Sequence, residues 1–143
     1  MAQNTVADAK IAPLTAADIK AAADGHDTTT DELRAAVRAA AEGIDEYATE
    51  FADAVPEGHG QYSEPTVIWQ DNDHVCIYVS TETWNATMEE LSERYDGDTP
   101  HAVVWAHNEF ARRHGASADV LGTMDAIVLP RTETVQQIIN DRR

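Results

Sequence analysis

A chain of 143 residues with 26 acids, ten bases and a net charge of −16 has the length of one domain with room for an arm. No run approaches the eighteen consecutive apolar residues of a membrane-spanning helix, and the single cysteine, Cys76, excludes an internal disulfide and a multi-cysteine zinc site. The opening MAQNTVADAK lacks the basic and apolar regions of a secretory signal.

Only Lys10 and Lys20 are lysines, and the other eight bases are Arg. Acid excess, scarce lysine and abundant Ala, Thr and Val resemble the composition of proteins from extreme halophiles. At molar salt the Debye length falls to about 3 Å, so carboxylates repel one another little there. The acidity therefore reports habitat rather than a partner. The same salt weakens any phosphate-driven grip on nucleic acid. Leu, Ile, Val and Phe together make 26 of 143 residues, below the roughly one-fifth at which high net charge begins to suggest disorder, but the regular periodicity and explicit caps speak for a fold with a thin core. Oligomerisation is one way to thicken so thin a core.

Residues 1–13 read as a polar arm. In LTAADIKAAADG, Thr15 and Asp18 form a capping-box pattern, Leu14 and Ile19 a hydrophobic staple, and Gly25 a stop. Thr29 and Glu32 open a second helix, expected to reach about Ala54 before Pro56. Its large apolar residues, Leu33, Val37, Ile44, Tyr47 and Phe51 with Ala40 in the gap, follow heptad steps. A narrow seam of that kind faces another helix. Residues 56–66 read as a Gly/Pro-rich linker. VIWQ–DND–HVCIYVS predicts a β-hairpin whose second strand is apolar on both faces and hence covered on both.

TETWNATMEELSERYDG predicts a helix with Trp84, Met88, Leu91 and Tyr95 on one stripe. The next helix opens with Thr99 as N-cap and Pro100 at the first helical position. Its stripe is Val103, Ala106 and Phe110, and Gly115 ends it. AIVL is a short strand broken by Pro130, and Thr132 caps a last helix bearing Val135, Ile138 and Ile139. Arg142 and Arg143 suit a helix C-terminus. The expected fold is α+β and mainly α: a helical bundle with a small β-hairpin and one further short strand. Its segments are the arm 1–13, a helical hairpin 14–55, the linker 56–66, a hairpin with two helices over 67–115, and a strand–helix segment 116–143.

No catalytic constellation emerges. The six histidines, His26, His59, His74, His101, His107 and His114, include no i, i+4 pair. His107 and Glu109 echo the HxE of zinc deaminases, but the PCxxC that must accompany it is missing. Cys76 reads as a small core residue. GxSxG, P-loop and GxGxxG patterns are absent, and Gly58–His59–Gly60 is a loop pair. The expectation is a non-enzyme with no cofactor and no metal.

Two readings remain. Residues 74–115 run strand, helix, turn, helix and resemble a ribbon-helix-helix DNA-binding regulator. Its outward strand residues would be Cys76, Tyr78 and Ser80, none of them a base-reading side chain. Read in order, the whole chain instead resembles the head–tail connector (adaptor) proteins of tailed viruses. The likeness rests on Thr15, Asp18, Ile19 and Lys20 in the first helix. It continues with Asp31, Leu33, Val37, Ala40, Ile44, Asp45 and Tyr47 in the second. Pro100, Val103, Ala106, Phe110, Arg112 and Arg113 match a later helix, and Leu129, Pro130, Val135, Ile138, Ile139, Arg142 and Arg143 the close. Residues 62–97 are an insert relative to that pattern.

The resemblance implies a structural virion protein at the neck, assembled in the host cytoplasm. It implies a homo-oligomeric ring, commonly twelvefold, that contacts portal protein and tail components. Such a ring meets nucleic acid only indirectly, through the DNA channel. The apolar periodicity of the two helices gives Leu33, Val37, Ile44, Tyr47, Phe51, Val103 and Phe110 as the expected core and seam. The resemblance also implies the segment from Leu129 onward, with Pro130, Val135, Ile138, Ile139, Arg142 and Arg143, as the portal-docking element.

Overall fold

The computed structural model describes residues 13–53 and 67–141. Residues 1–12 of the expected arm, the linker 56–66, and Arg142 and Arg143 lie outside the described residues. The architecture is α+β and mainly α, with helices packed around a three-stranded antiparallel sheet.

Helix α1 spans Ala16–Asp24. The Thr15 hydroxyl accepts the Asp18 N–H at 3.2 Å, and the Asp18 carboxylate accepts the Thr15 N–H at 2.9 Å. Two otherwise orphaned donors are satisfied reciprocally. Leu14 and Ile19 are buried on either side of the cap, and Gly25 is the C-cap. Helix α2, Thr30–Glu46, starts under the Thr29 hydroxyl and buries Leu33, Ala36, Val37, Ala40 and Ile44.

The seam then departs from the sequence expectation. The helix breaks at Tyr47 (φ −111°, ψ 26°) and resumes as α3, Ala48–Asp53. Tyr47 is 53 % exposed rather than part of the core, and Phe51 is only partly buried. The inward positions belong to Ala48 and Ala52, four and eight residues beyond Ile44. There α3 lies against β3 and the C-terminal helix. Alanine lets those backbones approach closely, and the break turns the tyrosine outward.

Strands β1 (Val67–Gln70), β2 (His74–Val79) and β3 (Asp125–Pro130) pair in the order β1-β2-β3. The β1–β2 hairpin carries an irregularity between Val67 and Trp69, and β2 pairs with β3 from His74↔Pro130 to Val79↔Asp125. Asp71 organises the hairpin turn by accepting the N–H groups of Asp73 (2.8 Å) and His74 (2.7 Å). Arg131 clamps that turn, donating to the Asp71 carbonyl at 2.7 Å. All of β2 beyond His74 is buried. Val75, Ile77 and Val79 join the main core, while Tyr78 packs with Val120 and Met124 in a smaller cluster. An unbroken apolar strand is covered on both faces, as its composition requires.

A 3₁₀ turn, Thr81–Trp84, leads into α4 (Asn85–Ser92) and then α5 (Thr99–Arg113). Gly97 sits between them at φ +64°, a left-handed conformation that favours glycine. The N-cap of α5 is Asp98, not Thr99. Thr99 is buried one position further in, its hydroxyl 2.7 Å from that of Thr28, so it ties α5 to the loop before α2. A one-turn helix α6, Ala118–Leu121, precedes β3 and has no apolar period to announce it. Helix α7, Glu133–Asp141, begins with the Val135 N–H donating to the Thr132 hydroxyl at 3.1 Å. One cluster of buried residues runs from Leu14 to Ile139, so the two described segments share a core. Among the described residues no helix is long and apolar enough to cross a membrane.

Candidate functional site

Two surface features stand out, an open groove and a ridge. The groove lies between the α2–α3 break and α4. Ala39, Ala40, Gly43, Phe51, Ala86 and Leu91 line it, with Tyr47 beside them and Glu50, Glu90 and Arg94 as its charged residues. Its volume is about 310 Å³, at the small end of the range for ligand-sized cavities. It exists because small residues stand where a larger side chain would fill the space. A Cβ added at Gly43 would meet nothing within 4 Å. The lining holds no cysteine, serine, lysine or histidine. It can receive an apolar side chain, with charge along the margin to orient it.

The ridge is on α5. Its inward stripe is Val103, Ala106, His107 and Phe110, all buried. Trp105 is two residues past Val103, about 200° around the helix, and is 40 % exposed. It separates a hollow of about 330 Å³ bordered by His26 and His101 from one of about 230 Å³ bordered by Arg112 and Leu121. His26 meets the indole edge-on at 5.9 Å between ring centroids. The His26 ring is held by its Nδ1, 2.8 Å from the Ala22 carbonyl.

His107, Asn108 and Glu109 do not form a metal or acid–base site. They serve the fold separately. The Val128 N–H donates to His107 Nδ1 at 3.1 Å. Burial pushes the His107 pKa down to about 3, against a weaker opposing pull from Asp18, so the ring is neutral and accepts. Asn108 accepts the Ala126 N–H at 2.7 Å and donates to Asp125 at 2.9 Å. Trp84 Nε1 donates to the Ala126 carbonyl at 3.3 Å. These groups project from the side of β3 away from β2, and three side chains satisfy them. Glu109 is buried under Arg112, its salt-bridge partner. Arg113 reaches back 2.8 Å to the buried Asp18, joining α5 to the α1 capping box.

The remaining expectations fall as follows. Cys76 is buried in the sheet, and desolvation raises its thiol pKa well above the ordinary value, which leaves no thiolate for chemistry. His114 stacks on Phe110 at 4.2 Å and is not paired with His107. Among the described residues no group of three or more His, Cys, Asp or Glu could hold a metal ion. Leu33, Val37, Ile44, Val103 and Phe110 lie in the core.

The residues of the expected portal-docking segment are divided between core and surface. Leu129, Val135 and Ile139 are fully buried, and Pro130 and Ile138 are partly buried. The segment packs against α3 and β2, which leaves the half-buried Pro130 and Ile138 at the surface. Neither Trp105 nor the groove was among the residues the sequence singled out. A tryptophan out of phase with its helix's apolar stripe was the available signal for the first. The groove had none, because it depends on where α4 lies relative to α2. Comparison with family models, curated proteins and solved structures finds no match to this chain.

Proposed function

We propose that this chain is a non-catalytic structural subunit that self-associates into a ring, of the kind that connects head to tail in tailed viruses. The observation that carries the reading is an apolar groove that none of the described residues fills, on a subunit poor in bulky apolar residues. A thin-cored subunit gains apolar burial by lateral contact with its neighbours. The order of motifs along the chain supports the connector class among such subunits. Portal and tail components are its expected partners, at the virion neck, and DNA passes only through the ring's channel.

The regulator reading fits the fold less well. Strand β2 is paired on both edges, and Cys76 and Tyr78 are buried. A ribbon reader needs a strand whose side chains face the groove. The deciding experiment is immunogold labelling of purified tailed particles with antibody to this chain. Label confined to the head–tail junction is expected. Particles without label, together with a dimer that shifts one DNA sequence at high salt, would replace the connector with the regulator.

A further inference from the structure

We infer that the groove between the α2–α3 break and α4 receives the outer face of α5 from a second copy of this chain, with Trp105 as the inserted side chain. The inference rests on the self-association reading and deepens it by naming the two surfaces that meet.

Trp105 and Tyr47 are the two exposed large hydrophobic side chains among the described residues. Tyr47 already stands at the groove, whereas Trp105 is on a different surface. Helix α4 lies between them, with Ala86, Glu90 and Leu91 lining the groove and Asn85 and Met88 lining a hollow beside Trp105. The two features thus occupy opposite flanks of one helix. Contact between unlike surfaces is heterologous, and it closes into a ring when the rotation allows.

The shapes correspond. His101, Trp105, Asn108 and Arg112 line the hollows on either side of the ridge. They step by four, three and four, so they form one stripe along α5, with His101, Trp105 and Arg112 exposed and Asn108 half-buried against β3. The stripe covers twelve residues, about 16 Å of helix, and the groove wall from Ala39 to the break at Tyr47 covers nine, about 12 Å. A helix laid in an apolar groove with one aromatic anchor is a recurring mode of recognition. Gly43 and Ala39 leave the room that an indole needs.

The charges also correspond. Glu50 and Glu90 stand at the groove, and Arg112 and His101 flank the tryptophan. Arg94 is the opposing cation at the groove, and Glu109 already engages Arg112 within its own subunit. At molar salt these charges set orientation over a few ångströms only. The apolar insertion is left to supply the affinity.

The test uses the full chain in molar KCl, with mass read by light scattering across a concentration series. Trp105→Ala removes the ridge, and Gly43→Leu fills the groove. Each variant alone should weaken association roughly tenfold to a hundredfold while keeping the wild-type circular dichroism. Mixed together they should form a one-to-one heterodimer and nothing larger, because one intact ridge and one intact groove remain. Any of three results overturns the proposal: wild-type mass in Trp105→Ala, a mixture that stays monomeric, or a wild-type chain that is monomeric throughout the series. Wild-type rings that ignore both substitutions would place the contact elsewhere and leave the connector reading standing. Loss of association in Gly43→Leu alone would mean that another element of the copy fills the groove.

Discussion

The outer edge of β3 and the groove beside α4 are both places where an element lacks a neighbour of its own kind. The chain treats them in opposite ways. At the edge, backbone groups of Ala126 and Val128 turn away from β2 and are met by Trp84, His107 and Asn108. At the groove, the lining is almost all carbon and nothing from the described residues fills it. Unpaired backbone in a buried place costs more than unpaired methyl groups at a surface. A polar edge must be closed within the subunit, while an apolar groove can wait for a partner. The comparison predicts that substitutions at the edge act on stability and substitutions at the groove act on association.

The largest effect is expected at Trp84. It is fully buried, packs against His107 with ring centroids 4.8 Å apart, and donates to the Ala126 carbonyl. Trp84→Ala should lower unfolding free energy by about 3–5 kcal/mol, measured by denaturant titration in molar salt. A loss no greater than that of an exposed residue would mean that the edge does not depend on it.

Next is the acid response at His107. Its pKa in the fold is lowered to about 3 from an ordinary value near 6.5. Below pH 6.5 the unfolded chain takes up a proton that the folded ring refuses. Stability is therefore complete above pH 6.5 and drains away as pH falls towards 3. At pH 4 the expected loss from this one group is about 3 kcal/mol. His107→Gln keeps an oxygen acceptor for the Val128 N–H and cannot titrate. The difference in stability between the two proteins, followed from pH 7 to pH 4, isolates the histidine from the many carboxylates that titrate in both. Parallel curves would place the ring in a wetter setting than the fold gives it.

Asn108→Ala comes third. It leaves the Ala126 N–H without its acceptor and Asp125 without its donor, at a cost of about 1–3 kcal/mol. Amide exchange should rise at Ala126 more than at Ile127, whose N–H lies on the other side of the strand. Equal acceleration at both would indicate general unfolding instead of an opened edge.

The same contrast explains what the sequence could and could not convey. The α1 capping box, the Thr132 cap and the two-faced burial of β2 depend on residues within a few positions, and all three are legible. The pairing of β2 with β3 joins His74 to Pro130, far apart in the chain, and AIVL alone does not say which edge it takes. Tyr47 misled because the heptad count assumes an unbroken helix. Neither Gly43 nor any proline marks the break, and beyond it the buried positions fall to Ala48 and Ala52. The sequence offers His107 only a failed HxE likeness and nothing for Asn108, and only the position of β3 gives them work.

The smallest effect is the most pointed. Gly43 lies within α2, and a Cβ there meets nothing within 4 Å. Gly43→Ala should therefore stabilise the isolated subunit by about 0.5–1 kcal/mol, because alanine loses less backbone freedom in a helix than glycine does. Ordinary selection for stability would favour that alanine, in a helix where Ala35, Ala36, Ala39, Ala40 and Ala41 already stand. A glycine kept there at a cost in helix stability fits a groove that must stay deep enough for an indole. Thermal unfolding of a dilute, monomeric sample should show the gain, while the concentration needed for association should rise. If the alanine stabilises the subunit and leaves association unchanged, the glycine has no tie to the contact. If it destabilises the subunit, the space beside Gly43 is already occupied.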